Sequence, residues 1–548
     1  MQKYEKTTTL MRNNPFLSSR QLWTLYIGIG LIYILGTMVP LMQNDSAQHA
    51  SMAMRMTLTG DYLNLFKGEN AYLDKPHMHF WLSALAMEVF GVNHIAYRLP
   101  AIISLAIGAV ATKKLFDVLY PQRHIGQVAS LVFLCSQSII LSGHDVRTDA
   151  VLTGFVILSV YLFVQFLQRG KWYYGFVAGL SAAISFDAKG LMPVVIIGIA
   201  VLSYLTYSRK WSIFFSKRMI YIVSGFALGI APVLYAYYSQ FGAKGIEFIL
   251  IGQSLGRLDG SDFGSTHSDP FFFFHALLWV FLPLSVPLYF AVYFRTAELV
   301  RSRFSMINSR EVLTIGSFWG VMLLFSLSSF KLPHYLNGLL PLLSILVVAY
   351  LSEEKTKGIL KFLKGIQIFV VIIALLLVLV LLLAFTGVVS WFLLILVALS
   401  FLLVAIGLRD SKGEAGKILW IALIGSVSLN MFLNSHFYPI LTQYQGSYTL
   451  AQWVNRKEMS KDNIVMLEGS ESWAFDFYTS RNTPRISPES LEAGQWVVLH
   501  ESSLLNLKRS YKIIRAENDF RITRLSAKFI NPQRRAEQLS KMIIVEIL

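Results

Sequence analysis

The chain has 548 residues, 55% of them hydrophobic and 15% charged. That balance is too apolar for a single soluble domain of this length and marks a polytopic α-helical membrane protein. The formal charge of +16 does not signal nucleic acid, because in such a chain lysine and arginine first report which side of the bilayer each loop occupies.

The first apolar run, Leu22 to Met42, is long enough to cross a bilayer, and no small-residue cleavage site follows it. It reads as a retained span, not a signal peptide. Further runs near 94–112, 125–142, 149–168, 172–188, 191–207, 219–239, 271–293, 312–329, 334–351, 366–386, 390–407 and 418–435 bring the predicted spans to thirteen. Met78 to Val92 is short for a span and carries His79, Glu88 and Gly91, so an interfacial helix is expected there. With the N-terminus inside, the inner segments hold 24 of the 48 basic residues, the outer connections nine, and the tail from Leu441 the other 15. Counting Met78 to Val92 as a span would invert every later loop against the positive-inside rule.

This parity divides the chain into a membrane domain, 1–440, whose first outer loop is 43–93, and an extracytoplasmic domain, 441–548. In the second domain IVMLEG (464–469), QWVVLH (495–500), YKIIRA (511–516) and MIIVEIL (542–548) alternate with polar turns, as in a small α/β or β-rich soluble domain. The single cysteine, Cys135, lies in an apolar run and reads as a packing residue, with no intrachain disulfide possible.

The same parity collects the unusual polar clusters on the outer face. In QNDSAQHASMAMRMTLTGDY, Ala47, Ala50, Met54 and Leu58 recur at helical spacing behind Asp45 and Ser46 as candidate caps, predicting a helix on the membrane surface. YLDKPHMHFW then sets Lys75 before a proline that starts the interfacial helix, where a cation serves either as a phosphate ligand or as a snorkelling anchor. His77 and His79 lack a third ligand nearby and read as a polar pair, so no metal site is assigned. GHDVRTDAVLT puts Asp145, Arg147 and Asp149 at the next junction, and DAKGLMP adds Asp187 and Lys189 where an apolar stretch is interrupted. GQSLGRLDGSDFGSTHSD holds Arg257, and SSFKLPHYLNG brings Lys331, His334 and Tyr335. Three separated lysines and Arg257 beside carboxylates on one face suit a phosphate-bearing ligand.

As an ordered set, NDSAQHA, the GDY of 60–62, YLDKPHMHFWL, FGVNHIAYRLP, RTDAVLT, the AKG of 188–190 and SSFKLPHY with the LP of 340–341 resemble the C-type glycosyltransferases, the family that includes lipid A aminoarabinose transferases and protein O-mannosyltransferases. The resemblance runs from Asp45 to about Pro341; the tail shares only its position and the fragment FDFYTSR (475–481). It implies inverting transfer of a sugar from a polyprenyl phosphate, undecaprenyl phosphate being expected, on the periplasmic side of a bacterial cytoplasmic membrane. Asp45 matches the acid after the first span, Lys75 the lysine of the lysine-proline motif, Asp149 the acid opening the fourth span, and Lys189 the lysine before glycine. Arg257 and Tyr335 match the pattern less closely. The chain departs from it at His77, where the family commonly has a second proline, and before Arg257, where it often has a histidine.

On this reading Asp45 and Asp149 are the catalytic carboxylates, and Lys75, Lys189 and Arg257 bind the carrier phosphate. Tyr335, Lys331 and Arg147 join the binding set. No cofactor is expected, a divalent metal is left open, and the chain is expected to work as a monomer among membrane lipids. The acceptor is a glycolipid such as lipid A, with a protein hydroxyl as the alternative. A multi-span transporter would call for paired repeats and interrupted helices, which the sequence does not display.

Overall fold

The computed structural model describes residues 16–253, 256, 269–304, 311–353, 357–386, 391–457 and 461–548. Every predicted span falls on helix. In chain order these are α1 (Ser19–Met38), the outer-loop helices α2 (Asp45–Thr59) and α3 (Met78–Phe90), then α4 (His94–Leu119), α5 (Gly126–Cys135), α6 (Gln137–His144), α7 (Asp149–Arg169), α8 (Trp172–Lys189), α9 (Leu191–Ser208) and α10 (Ile220–Glu247). They continue with α11 (Phe272–Val280), α12 (Ser285–Arg301), α13 (Leu313–Ser326), α14 (Leu340–Leu351), α15 (Lys357–Thr386), α16 (Trp391–Asp410) and α17 (Gly413–Phe432).

Among the described residues, eight helical segments are long and apolar enough to cross a membrane, or nine if the pair α5–α6, bent by 61°, is one span. The expected thirteen runs fall on helices, but thirteen crossings are not confirmed. The run at 271–293 is divided into α11 and α12, and α13 has 14 residues. Apolar length in a sequence does not reveal where a helix is broken inside the bundle. The short helix α3, with 13 residues, fails the same test of length.

Small residues let the central helices touch. A Cβ at Gly154 of α7 would overlap the Ser104 carbonyl of α4, and one at Gly179 of α8 would overlap the Ile222 carbonyl of α10. Close backbone approach is the usual basis of helix association where no water is expelled. The result is a radial gradient: α7 is buried nearly all round, whereas α15 turns most of its surface outward.

Past Tyr444 the chain forms α18 (Gly446–Arg456), β3 (Ile464–Leu467), α19 (Trp473–Thr479), β4 (Arg485–Ile486), β5 (Trp496–His500), β6 (Tyr511–Asp519) and β7 (Ser540–Ile547), with β1 (Phe66–Lys67) and β2 (Asn70–Ala71) a separate hairpin in the first outer loop. The five-stranded sheet has the order β4-β3-β5-β7-β6; β3 runs parallel to β4 and β5, and β7 antiparallel to β5 and β6. Leu450, Val454 and Phe475 of α18 and α19 pack one face of it, and Leu491, Leu504 and Leu507 the other. The domain grips the entry to the outer loop. Leu41 N donates to Tyr478 Oη at 2.7 Å, Gln43 N to Gln445 Oε1 at 2.6 Å, and Ala474 N to Gln43 Oε1 at 2.8 Å.

Candidate functional site

The chain leaves α1 at Val39, and Asn44 caps α2 by accepting from Ser46 N at 2.7 Å. The cap is thus Asn44; Asp45 is the first helical residue, which corrects its reading as a cap. Its side chain is 60% exposed and meets Arg147 at 3.3 Å. Arg147 is also paired with Asp145 at 3.3 Å, and Asn44 donates to both Asp145 oxygens at 3.2 and 3.3 Å. Ala47, Ala50 and Met54 are fully buried, whereas Leu58, expected on the same face, is half exposed.

Two residues beyond Arg147, Asp149 opens α7 and is buried. Its Oδ1 lies 2.5 Å from Lys189 Nζ, the last residue of α8, with the two side chains 5% and 8% exposed. Gly190 ends that helix at φ 76°, a backbone that favours glycine, and Gln253 closes against it so that a Cβ would collide with the Gln253 amide. His334 lies 3.9 Å from Asp149 Oδ2, and Lys189 Nζ sits 4.7 Å above the centre of the Tyr335 ring. Asp149, Lys189 and Tyr335 form the polar end of a pocket of about 560 Å³, counting its open mouth. Leu152, Met192, Pro193, Ile196, Phe273 and Phe325 make the rest of it apolar.

Lys75 pairs with Asp74 at 2.5 Å. The helix expected to begin at the following proline begins at Met78. Gln253 donates to the Asp74 carbonyl, tying this loop to the turn after α8. Lys331 is buried and donates to the Asp269 carbonyl at 2.8 Å, so it braces the loop before α11 and does not line the pocket. Arg257 lies outside the described residues.

Beneath the two clusters lie His49 and His79, both buried, with ring centroids 5.7 Å apart. Burial first, then repulsion from His79, Lys75 and Arg147, holds His49 well below the ordinary histidine range. Burial also lowers His79 to about 4, against an opposing pull from Asp149. These neighbours show that Lys75, Arg147 and Asp149 converge on one electrostatic environment whose imidazoles are neutral at pH 7. His77 and His79 do not act as a pair: His77 Nε2 meets the Leu63 carbonyl at 2.9 Å, and His79 Nε2 meets Tyr97 Oη at 3.1 Å. Among the described residues no group of three His, Cys, Asp or Glu side chains could hold a metal ion.

The residues that sequence reasoning had not assigned are mostly partners of those it had. Asp74 adjoins Lys75 in YLDKP and was visible as a neighbouring opposite charge. His334 stood in SSFKLPHY without a reason to prefer it. Asn44 was hidden by the carboxylate beside it.

The chain is a helical membrane bundle with a buried ion pair facing an apolar pocket and an α/β domain seated on its first long loop, a fold that it shares with a solved structure of ArnT. The crystal structure of ArnT from Cupriavidus metallidurans bound to undecaprenyl phosphate superposes with a TM-score of 0.72 at 15% identity, over 95% of this chain and 96% of that one. Residues 74–236 match the family described as dolichyl-phosphate-mannose-protein mannosyltransferase. The undecaprenyl phosphate-alpha-4-amino-4-deoxy-L-arabinose arabinosyl transferase of Pseudomonas aeruginosa (strain UCBPP-PA14) is 23% identical over 364 residues, 64% of this chain and 63% of that protein. An uncharacterized protein of Aquifex aeolicus (strain VF5) is 23% identical over 337 residues, 60% of this chain and 62% of its own length. The matched region thus spans about three fifths of these curated relatives. The resemblance to polyprenyl-phosphate-sugar glycosyltransferases read from the motifs therefore holds in sequence and in fold.

Proposed function

We propose that this chain is an inverting glycosyltransferase of the bacterial cytoplasmic membrane, moving a sugar from undecaprenyl phosphate to a glycolipid such as lipid A on the periplasmic face. The observation that carries the reading is the Lys189–Asp149 pair at the charged end of an otherwise apolar pocket. Such a pocket suits a ligand with one phosphate and a long hydrocarbon tail, and the solved ArnT complex with undecaprenyl phosphate supports the same ligand class by its fold.

In this mechanism the carrier phosphate joins Lys189, whose ammonium keeps its contact with Asp149 through one of its three N–H groups, and Lys75, while Arg257 adds a third cation. The acceptor oxygen attacks the anomeric carbon from the face opposite the carrier, the bond from that carbon to the phosphate oxygen breaks, and the carrier leaves as a monophosphate with one more negative charge. The lysines stabilise that growing charge. Asp45, held by Arg147, orients the acceptor; for a neutral hydroxyl it also takes the proton. Because the leaving group is a lipid monophosphate, the ammonium and guanidinium groups supply the neutralising charge, and the proposal uses no cofactor and a single copy of the chain. The protein-acceptor alternative draws on the description of the family matched at residues 74–236.

Mass spectrometry of lipid A and of envelope glycoproteins from a strain lacking the gene separates the two acceptors. Loss of a sugar from lipid A alone is expected; loss from glycoproteins alone would replace the reading with its alternative. The thirteen-crossing topology is part of the proposal. A reporter active only outside the cytoplasm should work when fused after Leu548 and stay silent within 295–310; the reverse would overturn the periplasmic assignment.

A further inference from the structure

The positive-inside rule leaves few basic residues beside the outer ends of spans. The segment 520–536, FRITRLSAKFINPQRRA, runs against it, with Arg521, Arg524, Lys528, Arg534 and Arg535 and no acid. Its position is fixed by packing. Phe529 is fully buried, stacks on Phe520 with centroids 3.8 Å apart, and meets Phe385, the last residue of the apolar segment Gly358–Phe385. Arg535 covers the Phe385 ring at 4.3 Å and donates to the Ala384 carbonyl at 2.7 Å, as suits a cation at a helix C-terminus. The segment therefore packs on the C-terminal end of α15, the end that the thirteen-crossing topology places outside.

Arg535 is consumed by that anchoring and Arg534 is paired with Glu537 at 3.7 Å. Arg521, Arg524 and Lys528 are exposed, and among the described residues none has an acidic partner within salt-bridge distance. Beside the segment α15, α16 and α17 line an open apolar groove of about 680 Å³, counting its open side, with Val371, Leu375, Val378, Val404, Ile421 and Leu429 among its walls. Val378 and Leu429 also pack in the cluster that holds Ile522 and Phe529, so cations and groove share a wall. Met42 belongs to the same cluster. Asp45 is three positions further on, about 11 Å of chain at most. The patch thus lies near the chain that leads into Asp45, and the groove beside it is lined by other helices than the pocket built around Asp149 and Lys189.

We propose that Arg521, Arg524 and Lys528, with the groove between α15, α16 and α17, form the docking site of the acceptor, a phosphate-bearing glycolipid with several acyl chains. The proposal rests on the glycolipid reading above and adds where and how that acceptor is held. Guanidinium and ammonium groups bind phosphate oxygens, and the apolar groove takes acyl chain. A lone polyprenyl phosphate has no use for two sites, whereas a reaction between two lipids requires one for each.

The test uses the full chain in zwitterionic nanodiscs, with bisphosphorylated lipid A and its dephosphorylated form as probes. The triple variant R521A/R524A/K528A should weaken binding of lipid A by about 10- to 100-fold, from roughly one unit of favourable charge lost at each of three positions. It should keep the wild-type melting temperature and its affinity for undecaprenyl phosphate. R521K/R524K, which keeps the charge, should stay within about threefold of wild type. Dephosphorylated lipid A should not distinguish the triple variant from wild type. Equal lipid A affinity in wild type and triple variant overturns the proposal, and so does equal competition by phosphatidylglycerol, which would make the patch a general anionic-lipid contact. If the variant binds lipid A more weakly but the wild type transfers no sugar to it, docking stands and the glycolipid transfer reading falls.

Discussion

Arg147 and Asp149 stand two residues apart, yet their ion pairs belong to different physical regimes. Asp149 and Lys189 are both less than a tenth exposed and meet at 2.5 Å, whereas Asp45, which meets Arg147 at 3.3 Å, is 60% exposed. In the first pair each charge depends on the other, because neither has water to replace it. In the second, solvent screens the attraction and Asp145 shares Arg147, so the pair contributes about 1 kcal/mol at most. Lys75–Asp74 is intermediate, with side chains 16% and 34% exposed. The lesson is that the buried lysine is held tightly by its carboxylate, while the exposed Asp45 is held only weakly by Arg147.

The largest effect is expected from separating the buried pair. Lys189→Ala leaves Asp149 charged without its partner and should destabilise the protein by about 3–5 kcal/mol, with transfer abolished. Adding Asp149→Asn removes the stranded charge and should restore most of the lost thermal stability without restoring transfer. If the double variant melts no higher than the single one, the pair is not the coupled unit described here.

Lys75→Ala tests the middle case. Its salt bridge is partly solvated, so stability should change by about 1 kcal/mol or less, yet turnover should fall by roughly 100- to 1,000-fold through loss of a charge-assisted contact to the leaving phosphate. Near-normal turnover with an unchanged melting temperature would reduce Lys75 to an interface anchor.

The smallest effect belongs to Asp45→Asn, a nearly isosteric change at an exposed position. With a phosphate acceptor, already ionised at neutral pH, no proton need be taken, and the rate should stay within about tenfold of wild type with the same profile from pH 5 to 9. A loss of roughly 100-fold or more together with disappearance of the wild-type acidic limb would show a general base and move the acceptor to a hydroxyl.

The sequence by itself determined the membrane class, the positions of the helices, among them the short helix at Met78–Phe90, and the strands of the C-terminal domain. Hydrophobic length and residue alternation are local properties, and no tertiary contact is needed to read them. It also marked Lys75, Asp149 and Lys189, because a charge interrupting an apolar run is costly unless the fold provides for it. What it could not supply was partnership. That Lys189 reaches back 40 residues to Asp149, that Asn44 rather than Asp45 caps its helix, that Lys331 braces the loop before α11, and that the Phe272–Arg301 region is two helices were decided only in three dimensions. Each depends on which helix faces which, and a bilayer offers every apolar face the same solvent. Side-chain packing, close glycine contacts and the pairing of buried charges make that choice, and none of them is written in the order of residues along a single segment.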